Sequence, residues 1–232
     1  MITRRLSYLL LYIFTFCIIF PCIGNGANNP SLAMIKKIVN DVKKKSLSTE
    51  YTRASLGDIL AEGDHVQTGK KSLALIKFLD GSIIRLREQS EIILNVEGQR
   101  SSMIRESHIL RGSLGFEVVK QQSDRFRLTS PTSVASIRGT KGKWSGGQGH
   151  DTLIVTEGLV NLKNKISNKD IDISAGYIGF SDEDGSLSSR KATDEELTDA
   201  NEAAIGKTMN ELKFEMNDSK GNKKELKLRY KH

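Results

Sequence analysis

Between Ala54 and Gly176 the apolar residues fall on alternate positions and each short run ends at a glycine, a pattern that strands use and helices cannot. In SLALIKFLDGSIIRL, residues 72–86, Ala74, Ile76 and Phe78 share one side, Asp80-Gly81 interrupts, and Ile84 and Leu86 resume. Asp-Gly between two alternating runs is a turn signal, because glycine takes positive φ without a steric penalty. The same grammar recurs. Leu114, Phe116 and Val118 follow Gly112; Leu153 and Val155 lead to Glu157-Gly158, and Val160 and Leu162 come after it; Ile171 and Ile173 precede Ala175-Gly176. Structural turns are expected at Gly69, Gly81, Gly112, Gly139, Gly158 and Gly176. Many short strands with no long helical pattern between them exclude a doubly wound α/β fold and leave a sandwich, a barrel or a solenoid. A chain of 232 residues, 38% hydrophobic, is enough for one sizeable domain with appendages.

The first 27 residues stand apart. Arg4 and Arg5 precede an almost wholly apolar run, Leu6 to Phe20, which is shorter than the roughly 18 to 20 residues that span a bilayer comfortably. Pro21 and the small-residue stretch Gly24 to Ala27 follow. Residues 1–27 therefore read as a secretory signal peptide, and the mature chain as periplasmic or secreted; the alternative is an uncleaved signal anchor that tethers the domain to the inner membrane. Both cysteines, Cys17 and Cys22, lie in this segment, and neither follows a small residue, so a lipid anchor is not expected. A mature chain starting near Asn28 has no thiol, and disulfide or thiol chemistry drops out. It keeps 33 basic and 28 acidic residues, a modest excess.

The stretch SPTSVASIRGTKGKW, residues 130–144, poses the functional question, since it is either an anion-binding loop or a corner between two layers of sheet. Pro131 has no amide proton and ends a ladder after Phe126 and Leu128, while Gly139 permits a tight return toward Trp144. The corner reading is preferred. Arg138 then either grips an anionic group of a partner or bridges a carboxylate or carbonyls of the neighbouring layer. Arg138, Lys141, Lys143 and Trp144 are the candidate partner-contact residues.

Enzyme motifs fail on spacing. Around Ser145 a lysine stands where a nucleophile elbow needs its first glycine, and neither Gly142-Lys143 nor Gly69-Lys70 completes a phosphate loop. The four histidines, His65, His108, His150 and His232, are far apart and suggest no metal site. His150-Asp151 reads as a pair of ordinary loop residues. No catalytic residue, cofactor or metal is assigned. An aromatic content of 6% with a single tryptophan argues against a single-stranded nucleic-acid or carbohydrate groove.

Six pieces in order resemble successive motifs of the FecR family: ASLGDILAEGDHVQTG (54–69), SLALIKFLDGSIIRLREQSEIIL (72–94), ILRGSLGFEV (109–118), SPTSVASIRGT (130–140), TLIVTEGLVNL (152–162) and ISAGY (173–177). The resemblance implies an all-β, solenoid-like stack of short strands over residues 31–185. It also implies an extracytoplasmic binding or signalling role without catalysis, exercised on an unidentified protein partner of the envelope. One departure is local: the family commonly places an aromatic or large apolar residue two positions after Gly-Thr, where this chain has Gly142. The other concerns the plan of the best-known members, transmembrane anti-sigma factors. Only five residues precede the apolar run, so a direct anti-sigma role is not expected. Binding of a wall or surface polymer is the alternative function.

The flanks are read separately. SLAMIKKIVNDVKKK, residues 31–45, is either a short amphipathic helix or, as preferred, two strands turning at Asn40-Asp41. Residues 186–232 form a polar extension. Its box Thr193 to Glu196 should start a helix over about 194–212, followed by a basic tail that either stays solvated or contacts anionic membrane or wall polymer.

Overall fold

The structure is a computed structural model that describes residues 31–47, 49–97, 104–120, 125–206, 210–217 and 223–230. The expected signal peptide lies outside these residues. Seventeen strands build the main body: β1 (Ser31–Val39), β2 (Val42–Lys45), β3 (Thr52–Arg53), β4 (Ile59–Ala61), β5 (His65–Thr68), β6 (Leu73–Phe78), β7 (Ile83–Leu86), β8 (Glu91–Glu97), β9 (Ile104–Glu117), β10 (Arg125–Thr129), β11 (Ser133–Ile137), β12 (Lys141–Gly146), β13 (His150–Glu157), β14 (Leu159–Asn164), β15 (Asp170–Ser174), β16 (Tyr177–Asp182) and β17 (Leu187–Lys191). Helix α1 (Asp194–Ile205) and a separate hairpin, β18 (Asn210–Asn217) with β19 (Lys223–Tyr230), complete the described chain.

The pairings resolve into two layers. The front layer runs β4-β1-β6-β7-β9-β12-β13-β16-β17. The back layer runs β3-β2-β5-β8-β9-β10-β11-β14-β15. Strand β9 belongs to both. Its first half, Ile104 to Arg111, pairs with β8 and β10 at the back, and its second half, Gly112 to Glu117, pairs with β7 and β12 at the front. The crossing is made at Gly112, whose φ is 93° and where a Cβ would collide with Ser90. Beyond it the chain lays down strand pairs alternately, β10–β11 behind, β12–β13 in front, β14–β15 behind, β16–β17 in front. This is the expected solenoid-like stack, an open assembly not closed into a barrel.

One core fills the space between the layers. Ala74, Ile76, Ile84, Leu86, Leu114, Phe116, Leu153 and Val155 of the front layer meet Ile92, Leu94, Ile109, Leu128, Val160, Leu162 and Ile173 of the back layer, all buried. Phe78 and Phe126 pack edge to face across the gap at 5.0 Å between centroids. The inward residues are the alternating positions of the sequence pattern. At about 1.5–3 kcal/mol per fully buried side chain, they outweigh any local preference in fixing the register.

Residues 31–45 form two strands that turn at Asn40, whose φ is 57°. They do not pair with each other: β1 joins the front layer and β2 the back. Helix α1 starts with the expected capping box, Thr193 with Glu196, but ends at Ile205, short of residue 212, where Gly206 at φ 79° turns the chain. The segment read as a basic tail is part of a strand hairpin over its described residues. Leu212, Phe214 and Met216 alternate, as do Leu226 and Leu228, and the register sets Leu212 against Leu228 and Phe214 against Leu226.

The turns collect at two ends of the sandwich. At one end lie the turns around 79–82, 119–120, 138–140, 157–159 and 175–177. They are stacked by bonds such as Val118 N to Thr140 O (2.9 Å) and Ala175 N to Gly158 O (3.0 Å). Gly81, Gly139, Gly158 and Gly176 sit in this first row. At the other end lie the turns around 40–41, 69–72, 87–90, 130–132, 146–150, 164–169 and 182–186. They are joined by Gly69 N to Asp41 O (2.8 Å), Gln89 N to Gly69 O (3.0 Å) and Glu183 N to Gly149 O (2.8 Å).

Candidate partner-binding surface

The stretch 130–144 is a corner. Ser130 to Ser133 closes the β10–β11 hairpin around Pro131, and Arg138-Gly139-Thr140 then carries the chain from the back layer to β12 in the front. The hairpin is held from below by Asp151, a carboxylate with almost no exposure. Asp151 accepts hydrogen bonds from the Ser130 hydroxyl, from Thr132 Oγ1 (2.5 Å) and from Gly147 N (3.0 Å). A buried carboxylate persists only when hydrogen-bonded in this way. Asp151 thus pins a back-layer turn to a front-layer strand. His150, its sequence neighbour, points outward to Asp182, so the two do not work as a pair. The sequence held a signal for this: Asp151 occupies the inward phase of the alternation Asp151-Leu153-Val155.

The four candidate contact residues separate. Trp144 is wholly buried in the core, so its ring offers no surface to a partner and its role is packing. Gly142 lies against the Ile154 carbonyl oxygen, on which a Cβ there would fall, and the Phe116 ring, which would stand 2.7 Å from it, so that space is filled. Lys143 faces outward and binds Asp199 of α1 at 2.5 Å. Lys141 lies between Glu157 (2.9 Å) and Glu117 (3.7 Å), and these carboxylates raise its pKa, the Glu157 hydrogen bond foremost. Arg138 is exposed at the corner. The structure therefore brings Arg138 and Lys141 to the surface, gives Lys143 to the helix and Trp144 to the core.

The outer face of the front layer is covered. Leu75, Arg85, Gly115, Lys143, Ile154, Ile178 and Arg190 are neighbours in register across seven strands, and α1 lies over this row from Arg85 to Arg190. Its first turn is tied down by Arg190, which donates to both oxygens of Glu196 (2.9 and 2.7 Å) and holds that carboxyl down at about 2, helped by the Thr193 amide. Leu197 and Ala200 pack on Ile154 and Ile178. Farther on, a Cβ at Gly115 would fall on the Ala203 carbonyl oxygen, so helix and strand touch backbone to backbone. Arg85 donates to the carbonyl of Ala204. That contact places a cation at the helix C-terminus, where α1 has no basic residue of its own.

The outer face of the back layer carries no such cover among the described residues. Its corresponding row is Lys45, His65, Ile93, His108, Thr129, Val134, Lys163 and Asp170. Two polar clusters mark it. Glu91 accepts from Tyr51 Oη (2.5 Å) and Gln67 Nε2 (3.5 Å) and pairs with Arg111 at 3.3 Å. Burial, and then Glu91, push the Tyr51 phenol up to about 12. The second is a depression of about 410 Å³ lined by Arg127, Val134, Ser136, Asn161, Lys163, Lys165 and Asn168. Arg127 is held by Glu97 (2.6 Å), Asn161 by Asp170 and Asp172 (2.9 Å each), and Lys165 donates to the Ser130 carbonyl (2.5 Å). Lys163 has no partner among the described residues. His108 nearby has a lowered pKa, through burial first and the positive charge of Lys165 second. Sequence reasoning singled out neither cluster, because their members come from three or more strands far apart in the chain.

Among the described residues no cluster of His, Cys, Asp and Glu could hold a metal ion.

Residues 64–161 match the family model described as FecR protein. Two crystal structures of a candidate anti-sigma factor from Parabacteroides distasonis, at 1.65 and 2.50 Å, are similar in fold, each with a TM-score of 0.50 and 12% identity. The similarity covers 58% of this chain and 62% of that one, so the chain spans less than two thirds of its neighbour. No curated protein sequence matches.

Proposed function

We propose that this chain is a non-enzymatic regulatory protein of the bacterial envelope that acts by contact with another protein, and that the bare outer face of the back layer is the contact surface. The match of residues 64–161 to the FecR model supports the regulatory class, and the fold neighbour, described as a candidate anti-sigma factor, supports a protein as the partner. The observation that carries the assignment of the surface is the asymmetry of the sandwich. Helix α1 occupies the front row, while the back row presents fixed polar groups over eight strands and a depression with an unpartnered Lys163. Arrays of held donors and acceptors around a shallow concavity suit a partner read by hydrogen bonds and charge better than a reaction centre.

Arg4 and Arg5 followed by the apolar run Leu6 to Phe20 support a location outside the inner membrane, by cleavage or by an uncleaved anchor. Crosslinking in intact cells, followed by affinity capture and N-terminal sequencing of the captured chain, tests it. One reproducible protein partner, on a chain beginning near Asn28, is the expected result. Capture of wall polymer with no protein, together with pelleting on purified peptidoglycan, would instead assign the basic depression to a surface polymer.

A further inference from the structure

The two rows of turns differ in what they expose. In the first row, four of the five turns carry a large apolar side chain in solvent: Leu79 at 71% exposure, Val119 at 44%, Leu159 at 50% and Tyr177 at 44%. The fifth carries Arg138. At the opposite end two of the seven turns do so: Ile166 at 55% in 164–169, and Val39 at 36% beside 40–41. Scattered exposed apolar residues are ordinary, but alignment on successive stacked turns is not. The adjacent strands β7, β9, β12, β13 and β16 set a row about 20 Å long at roughly 4.8 Å per strand.

The charges of this end are ordered too. Asp80 and Glu157 are matched by Arg105 (3.4 Å) and Lys141 (2.9 Å). Lys120, beside Val119, has no acidic partner among the described residues, and Arg138 is exposed at the same end. Strand β1 also starts here, since Leu79 N donates to Leu32 O (3.1 Å). The apolar stretch Leu6 to Phe20 ends ten residues before β1, and ten extended residues reach at most about 35 Å. A membrane entered by that stretch is within reach of this end.

We infer that this end of the sandwich is a membrane-facing surface, and that its row of apolar turn tips, with Lys120 and Arg138, rests on an anionic bilayer. Leu79, Val119 and Leu159 enter the headgroup–acyl boundary, Tyr177 presents an apolar ring with a polar tip, and the two basic side chains reach the headgroups. A protein partner of ordinary size needs about 800 Å² on each side, broader than one line of turn tips, whereas a bilayer accepts a narrow convex row. The inference is independent of the partner on the back face: one can fail while the other stands.

A photoreactive benzoylphenylalanine placed in the full chain at position 79 or 159, with position 166 at the opposite end as control, tests it in intact cells. All three side chains are exposed, so the substitutions leave the core in place. Phospholipid adducts at 79 and 159, at least about fivefold above 166, are expected, and Lys120→Gln should lower them about fivefold, the worth of one basic residue near an anionic surface. Equal lipid adducts at both ends, or protein adducts in place of lipid at 79 and 159, would overturn it.

Discussion

The front and back outer faces are made from the same kind of strand, yet one needs a helix to be stable in water and the other does not. At the front, the row contains Gly115, Ile154 and Ile178, which have nothing to offer solvent, and Arg85, whose guanidinium is mostly buried and has a depressed pKa because of that burial. At the back, six of the eight residues in the same geometric row, Lys45, His65, His108, Thr129, Lys163 and Asp170, are polar, beside Ile93 and Val134. The hydrophobic effect therefore recruits α1 to one side only. A sheet face is freed for partners by what the outward alternation carries, and the helix is the consequence at the face where that alternation turns apolar.

The comparison breaks most visibly at Gly115. Gly115→Val puts a branched side chain where the Ala203 backbone lies, and should displace the helix at a cost of about 2–4 kcal/mol. Ser136→Val on the back face should stay within about 0.5 kcal/mol. Urea denaturation followed at the helical dichroism band separates the two, and equal losses would mean that α1 is not a structural cover. Arg85→Met keeps the stem but removes the charge at the helix C-terminus, and about 1–2 kcal/mol of stability should go with it. The exposed pair Lys143–Asp199 should show a coupling near 0.5 kcal/mol in a double-mutant cycle, reduced in high salt.

The faces also separate by pH. Glu196 is depressed to about 2 in the folded chain, so its tie to Arg190 and Thr193 is complete above its ordinary value of 4.5 and is lost as pH falls toward 2. Tyr51 is raised from 10.0 to about 12, so its bond to Glu91 is complete below 10 and is lost as pH rises toward 12. Chemical shifts of the α1 first turn should therefore move only in acid. The absorbance of one tyrosinate should appear about two pH units late, and Tyr51→Phe should abolish that late step.

Most of the stack was legible because inward phase is written as alternation. Leu114, Phe116, Leu153, Val155, Val160 and Leu162 all point where the pattern put them. The turns at Asp80-Gly81, Glu157-Gly158 and Ala175-Gly176 were equally plain. The cover was half legible. The capping box started the helix correctly, and the unbroken run Leu153-Ile154-Val155, apolar on both faces of its strand, already signalled that something lies outside Ile154. The hairpin β18–β19 was hidden by its charge, although Leu212, Phe214 and Met216 keep the strand period. Trp144 was misjudged as a contact because a lone tryptophan among lysines looks exposed until its phase with Gly142 is counted. The polar clusters of the back face depend on which distant strands become neighbours, and that is decided by the crossing at Gly112.

Lysine-reactive footprinting in intact cells, set against the purified chain, tests the central claim most directly. If the back face is the partner surface, Lys163 and Lys165 should lose reactivity in cells while Lys191, at the edge of the front layer, labels as it does in isolation. Equal labelling of Lys163 and Lys165 in both settings would contradict that assignment and leave the back face without a partner.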